Sequence, residues 1–151
     1  MKTLKNLCLS ILLVCLTILT YAQEPATITL VSSKNLNGAT ELVVDLDGEF
    51  TTDTWTKDYV RIEIEIKAND VSREVIKHLI RKARFCIKTQ NIDSESMRLY
   101  MPNLQLPVYI NGKKLSEDIS YKISVPKGIY ITDKSQAELL SRNFVRKNNS
   151  Q

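Results

Sequence analysis

Hydrophobic and polar residues alternate along much of the chain, and this alternation is typical of β-strands with one buried face. The pattern is clearest in residues 59–67, where Val60, Ile62, Ile64 and Ile66 alternate with charged or polar residues. Similar short segments elsewhere in the chain are rich in β-branched and aromatic residues and end at glycine, proline or asparagine. We therefore predict strands at residues 26–31, 41–46, 49–55, 59–67, 85–89, 97–101, 108–110, 113–115, 119–125 and 129–131.

Two dipeptides predict tight hairpin turns between neighbouring strands. Asp47-Gly48 separates the second and third predicted strands, and Asn111-Gly112 separates the strands at 108–110 and 113–115. Both pairs tolerate the positive φ angles that a two-residue hairpin requires. We expect each pair to join two antiparallel strands.

The period of the pattern changes to that of a helix over residues 71–84. Val71, Val75 and Leu79 recur on one stripe, with Asn69 or Asp70 available as the N-cap. Since an isolated helix of this length is marginal in water, its apolar stripe is expected to lie on a sheet. The predicted fold class is mainly β, a solenoid-like or sandwich arrangement of short strands with one amphipathic α-helix.

The first 22 residues have the pattern of a secretory signal peptide. Lys2 and Lys5 precede an apolar run over residues 7–19, and Ala22 ends the segment. A membrane anchor would need a longer apolar run, and a lipid-attached Cys15 would need a smaller residue before it than Val14. We predict export by the Sec route to the periplasm, outer envelope or medium, with no transmembrane segment after cleavage.

Cleavage leaves a single mainly β domain at residues 23–132 and a polar C-terminal tail at 133–151. Removal of Lys2 and Lys5 lowers the formal net charge from +4 to +2, so composition gives no reason to expect a nucleic-acid partner. Cys86 is then the one remaining cysteine, and no intramolecular disulfide is possible. Its place between Phe85 and Ile87 predicts a small buried side chain.

Candidate catalytic and metal-binding residues are sparse, and we predict no catalytic residues, metal site or cofactor. His78 is the only histidine, and basic residues surround it. Glu63 and Glu65 share one strand face, as paired carboxylates of a hydrolase would, but Arg61 and Lys67 flank them and favour cross-strand ion pairing. The acids around Gly48, at residues 45, 47 and 49, do not have the spacing of a calcium loop.

Two groups of side chains are candidate binding residues. The predicted helix carries a cationic face of Arg73, Lys77, Arg81 and Lys82, which suits an envelope protein, an anionic glycan or a lipid headgroup. The alternative is that this helix face contacts only solvent and binds no partner. Trp55 and Tyr59 form a sugar-stacking platform if they are exposed, and a packing anchor if they are not.

The stretches LVVDLDGEF at 42–50 and TWTKDYVRI at 54–62 resemble the recurring unit of the bacterial secreted putative adhesin family. The segment SVPKG at 124–128 is similar to the Val-Pro segment that precedes another β-rung in that family. The resemblance implies a mostly β, solenoid-like or sandwich fold at the cell envelope, with no catalytic residues to transfer. This chain is shorter and carries a helix between its strands.

Together these patterns favour a non-enzymatic secreted or cell-envelope interaction module that is adhesin-like. One alternative is a small secreted hydrolase that uses Glu63 and Glu65. Another is a periplasmic ligand carrier, which requires an apolar cavity of roughly a few hundred Å³ between helix and sheet.

Overall fold

The computed structural model describes residues 25–134. The predicted signal peptide and nearly all of the predicted tail lie outside these residues. The ten strands of the described part are β1 Ala26–Asn35, β2 Glu41–Asp45, β3 Glu49–Trp55, β4 Tyr59–Ala68, β5 Lys88–Asn91, β6 Ser96–Tyr100, β7 Tyr109–Ile110, β8 Lys113–Lys114, β9 Glu117–Pro126 and β10 Tyr130–Asp133. One α-helix, α1 Arg73–Arg81, and one 3-10 helix, Pro102–Gln105, complete it. The prediction of a mainly β chain with one helix is confirmed.

The strands form two four-stranded mixed sheets and a separate hairpin of β7 and β8. The first sheet has the order β1-β4-β9-β3, and the second has the order β10-β2-β6-β5. β4 pairs antiparallel with both neighbours, whereas β3 pairs parallel with β9 and β2 pairs parallel with β6 and β10. Each sheet therefore combines parallel and antiparallel pairs, with β3 and β9 parallel in the first and β10, β2 and β6 parallel in the second.

The two sheets bury a shared apolar core between them. Ile62 and Ile64 of β4, Ile123 of β9, Leu42 of β2 and Leu99 of β6 are fully buried and belong to one cluster. The alternation in β4 places its isoleucines in this core and its charged residues on the outer face of the first sheet. Burial of about ten such side chains is the main stabilising contribution to the fold.

Asp47-Gly48 does not form the predicted hairpin. β2 lies in the second sheet and β3 in the first, so the chain turns a corner between sheets at this point. Gly48 has φ +122°, and a Cβ at this position would lie 2.2 Å from the carbonyl oxygen of Ile119. A dipeptide that accepts positive φ suits a corner as well as a hairpin, which is why the local pattern was misleading. The predicted hairpin at Asn111-Gly112 does occur, between β7 and β8.

Helix α1 covers the central part of the predicted helix and starts later than expected. Its N-cap is Ser72, whose backbone is extended, while Asp70 adopts φ +58° and cannot serve as the cap. Ala83, also at φ +58°, follows the last turn and prevents the helix from continuing. Ile76 is fully buried, and the helix packs against β1 at the edge of the first sheet.

The segment after α1 corrects two expectations. Residues 85–87 precede the strand, which begins at Lys88 instead of Phe85. Phe85 and Ile87 are buried, but Cys86 between them is exposed, so the prediction of a buried cysteine is wrong. The two larger apolar side chains occupy the core, and the smaller thiol between them faces solvent.

Candidate functional site

The cationic face predicted on the helix is exposed to solvent along its whole length. Arg73, Lys77, Arg81 and Lys82 are all exposed. The first three recur every four residues, so they form one stripe with about 6 Å of axial rise between neighbours. The apolar residues of α1 point the other way, toward β1 and the core.

Glu74 is the one acidic residue of α1, and basic side chains surround it. Its Oε1 atom lies 2.7 Å from the Nζ atom of Lys77. This hydrogen bond, the charge of Lys77 and the charges of Arg81 and Arg73 lower the pKa of Glu74. One carboxylate therefore faces three cations, and the helix surface keeps a net positive charge.

Trp55 and Tyr59 contact each other at the connection between β3 and β4. Their rings meet edge to face with centroids 4.7 Å apart, and the indole Nε1–H donates to the Tyr59 carbonyl oxygen at 2.9 Å. Both side chains are half-buried, and neither belongs to the core cluster. Tyr59 opens β4, whereas α1 follows the other end of this strand, so the two predicted binding groups belong to different parts of the fold.

Glu63 and Glu65 lie on the outer face of the first sheet, each with a basic partner on its own strand. Arg61 contacts Glu63 at 2.7 Å and Lys67 contacts Glu65 at 2.6 Å. The expected pairing across strands is thus replaced by pairing along β4. A shallow cleft of about 320 Å³ includes both glutamates together with Thr29, Glu49, Thr51, Ser120, Tyr121 and Lys122.

The acidic residues around Gly48 do not converge on one point. Asp45 pairs with Arg98 and Lys134, while Asp47 accepts a hydrogen bond from the Gln105 amide at 2.5 Å. Among residues 25–134, no group of three or more His, Cys, Asp or Glu side chains is arranged to hold a metal ion. His78 is exposed on α1.

A wider cleft of about 580 Å³ lies beside the corner at Gly48. Most of the side chains that line it are charged or polar, unlike the apolar cavity that the alternative ligand carrier requires. A third cleft, of about 210 Å³, lies between the loop before α1 and the β7–β8 hairpin. The wider cleft is lined by Asp47, Gly48, Glu49, Lys67, Leu104, Glu117, Asp118, Ile119 and Ser120.

A further group of polar side chains on the second sheet was missed at the level of sequence. Glu41 of β2 accepts hydrogen bonds from Ser96 of β6 and Thr132 of β10, both at 2.7 Å. These residues are 55 and 91 positions apart from Glu41 in the chain. Only the parallel register of β10, β2 and β6 brings them together, and local alternation could not reveal that register.

No protein-family model matches the chain, and no curated protein matches it. Among solved structures, the chain is similar to a putative cell adhesion protein from Clostridium sporogenes ATCC 15579, with a TM-score of 0.38 and 12% sequence identity. The match covers 71% of this chain and 45% of that protein. A likeness at this level does not carry a function across. None of the helices formed by residues 25–134 is long and apolar enough to cross a lipid bilayer.

Proposed function

We propose that the exported chain is a non-enzymatic, adhesin-like interaction module, secreted or held at the cell envelope, that binds an anionic glycan through the cationic face of α1. The observation that supports this proposal is the stripe of exposed basic residues Arg73, Lys77 and Arg81. The helix has one acidic residue, Glu74, to offset these three positive charges. The packing of α1 on β1 fixes the stripe in place.

The stripe suits a polymer with repeated negative charges. Arg73 and Arg81 each present a planar guanidinium that can bind a carboxylate or sulfate through two parallel hydrogen bonds. They are separated by eight residues, or about 12 Å of helix, so both can contact one extended chain. The side chains are exposed, and their attraction to a glycan therefore depends on ionic strength.

Binding of polygalacturonate by the purified chain tests the proposal. The variant Arg73→Glu/Arg81→Glu reverses the charge at both arginine positions but leaves the Lys77–Glu74 ion pair in place. The control Lys57→Glu/Lys127→Glu makes the same change in net charge at two other exposed positions. We expect the first variant to weaken binding about tenfold or more, and the control to bind within about twofold of the wild type.

Two results would overturn the proposal. Equal loss of binding in both variants would mean that net charge, and not the helix stripe, is responsible. Binding to vesicles with anionic headgroups that exceeds binding to every soluble anionic glycan would make a lipid surface the partner instead.

A further inference from the structure

The outer face of the second sheet carries an ordered set of polar and aromatic side chains, here called the tyrosine face: Glu41, Asp45, Ser96, Arg98, Tyr130 and Thr132. The register places Tyr130, Glu41 and Ser96 side by side on β10, β2 and β6. Met97 and Leu99, the alternate residues of β6, are fully buried on the opposite side. Adjacent strands lie about 4.8 Å apart, so Tyr130, Glu41 and Ser96 are immediate neighbours on this face.

Hydrogen bonds from both flanking strands fix the Glu41 carboxylate. The Thr132 hydroxyl donates to Oε1 and the Ser96 hydroxyl donates to Oε2, each at 2.7 Å. Each carboxylate oxygen has a second lone pair, and each hydroxyl oxygen can also accept a hydrogen bond. The three groups therefore form a positioned set of acceptors that does not need to reorganise when a ligand binds.

The charges of this face balance. Asp45 accepts a hydrogen bond from Arg98 Nε at 2.7 Å and forms an ion pair with Lys134 at 3.1 Å. The Arg98 guanidinium also lies over the ring of Tyr100, 4.9 Å from its centroid. Counting Lys134 beside this face, two carboxylates and two cations leave little net charge, in contrast to the helix stripe.

Tyr130 supplies an exposed aromatic surface at the edge of this set. The residue is 76% exposed although its side chain is large and aromatic. It shares its side of β10 with Thr132, whose hydroxyl bonds Glu41, so the ring is next to the positioned acceptors. An aromatic ring beside fixed hydrogen-bonding groups complements a sugar, which has an apolar C–H face and hydroxyls at its rim.

From this arrangement we infer that the tyrosine face binds a neutral, hydroxyl-rich glycan, with Tyr130 stacking on a sugar ring and the Glu41 and Asp45 groups accepting hydrogen bonds from its hydroxyls. The balanced charge favours a neutral ligand over an anionic or cationic one. The inference is independent of the proposed function of α1 because it uses different residues and a different ligand chemistry.

The test uses the purified chain and a panel of neutral hexasaccharides, namely cellohexaose, maltohexaose, mannohexaose and galactohexaose, with binding measured by calorimetry. We expect at least one of them to bind, and the variant Tyr130→Ala to weaken that binding about tenfold. The control is Tyr109→Ala, which removes another tyrosine that is 65% exposed, on β7. This control is expected to leave the affinity unchanged.

A second variant, Glu41→Gln, keeps the shape of the side chain but changes one acceptor oxygen to a donor. It is expected to weaken binding while thermal unfolding confirms that the chain remains folded. Raised salt should leave this binding unchanged, and Arg73→Glu/Arg81→Glu should also leave it unchanged. The inference is overturned if no neutral hexasaccharide binds, if Tyr130→Ala binds as well as Tyr109→Ala, or if salt abolishes the binding.

Discussion

Arg84 and Glu117 form a buried ion pair that joins the segment after α1 to the first residue of β9. Their side chains are only 8% and 10% exposed, and Arg84 Nε lies 3.1 Å and 3.2 Å from the two carboxylate oxygens. Arg84 also donates to the carbonyl oxygens of Asn103 and Leu106. One guanidinium therefore connects the end of the helix, the 3-10 helix and a central strand.

Removal of one partner of this pair is expected to be costly. Arg84→Met leaves the Glu117 carboxylate buried without a counter-charge, so we expect the free energy of unfolding to fall by about 3–5 kcal/mol. Denaturation in urea measures this loss. The double variant Arg84→Met/Glu117→Leu removes both charges and should lose less than the sum of the two single variants. A strictly additive result would show that the pair does not act as a unit.

Gly48 should be the least replaceable of the turn glycines. Gly48→Ala adds a Cβ against the Ile119 carbonyl in a backbone with φ +122°, and strain and overpacking together should cost more than about 3 kcal/mol. Gly38→Ala is the matched control because φ is +90° but no atom lies within 4 Å of the new Cβ. Its expected cost is about 1–2 kcal/mol. Equal losses of stability in urea would contradict the corner packing.

Tyr121 gives the fold a pH dependence on the alkaline side. Burial, followed by the negative charges of Asp47 and Glu117, raises the pKa of Tyr121 above its ordinary value of 10.0. A raised folded-state pKa means that the stabilising contribution is complete below pH 10 and is lost as the pH rises further. We expect the wild type to lose stability above pH 10 more steeply than Tyr121→Phe.

Denaturant melts of both forms over this alkaline range provide the measurement. Near neutral pH, Tyr121→Phe should be less stable by about 1 kcal/mol because the phenol hydroxyl no longer donates to the Asp47 carbonyl oxygen, 3.1 Å away. If the free energy of unfolding falls equally steeply with pH in the two proteins, Tyr121 does not cause the alkaline loss of stability. Tyr109→Phe, at an exposed site, serves as the control.

The alternative hydrolase function makes a separate prediction. Glu63 and Glu65 each contact a basic residue of β4, an arrangement that suits ion pairing on a wet sheet face. We therefore expect Glu63→Gln/Glu65→Gln to leave glycan binding unchanged. The variant and the wild type should also show no difference in hydrolysis, measured as release of reducing sugar ends from polygalacturonate and from the neutral hexasaccharides. Hydrolysis by the wild type that this variant lacks would support the hydrolase hypothesis.

The features that the sequence predicted well are those with local causes. Alternation in β4, the apolar stripe of α1 and the turn at Asn111-Gly112 depend on residues a few positions apart. The exposure of Arg73 and Arg81 followed from the same helical periodicity. Each of these patterns has one structural solution that buries the apolar residues.

The features that the sequence did not predict depend on pairing between distant segments. Asp47-Gly48 fits both a hairpin and a corner, and the parallel pairing of β3 with β9 decides between them. The contact of Glu41 with Thr132 likewise requires the register of β10 on β2. The exposure of Cys86 follows from burial of Phe85 and Ile87, a choice that local apolar content does not determine.

The most direct test of the proposed function is a residue-by-residue titration by nuclear magnetic resonance. The isotope-labelled chain is titrated with polygalacturonate, and the backbone amide shifts are followed at low and at raised salt. We predict that the largest shifts lie in residues 73–82 and that they diminish as salt is raised. Shifts confined to the two sheets, or no shifts at low salt, would contradict it.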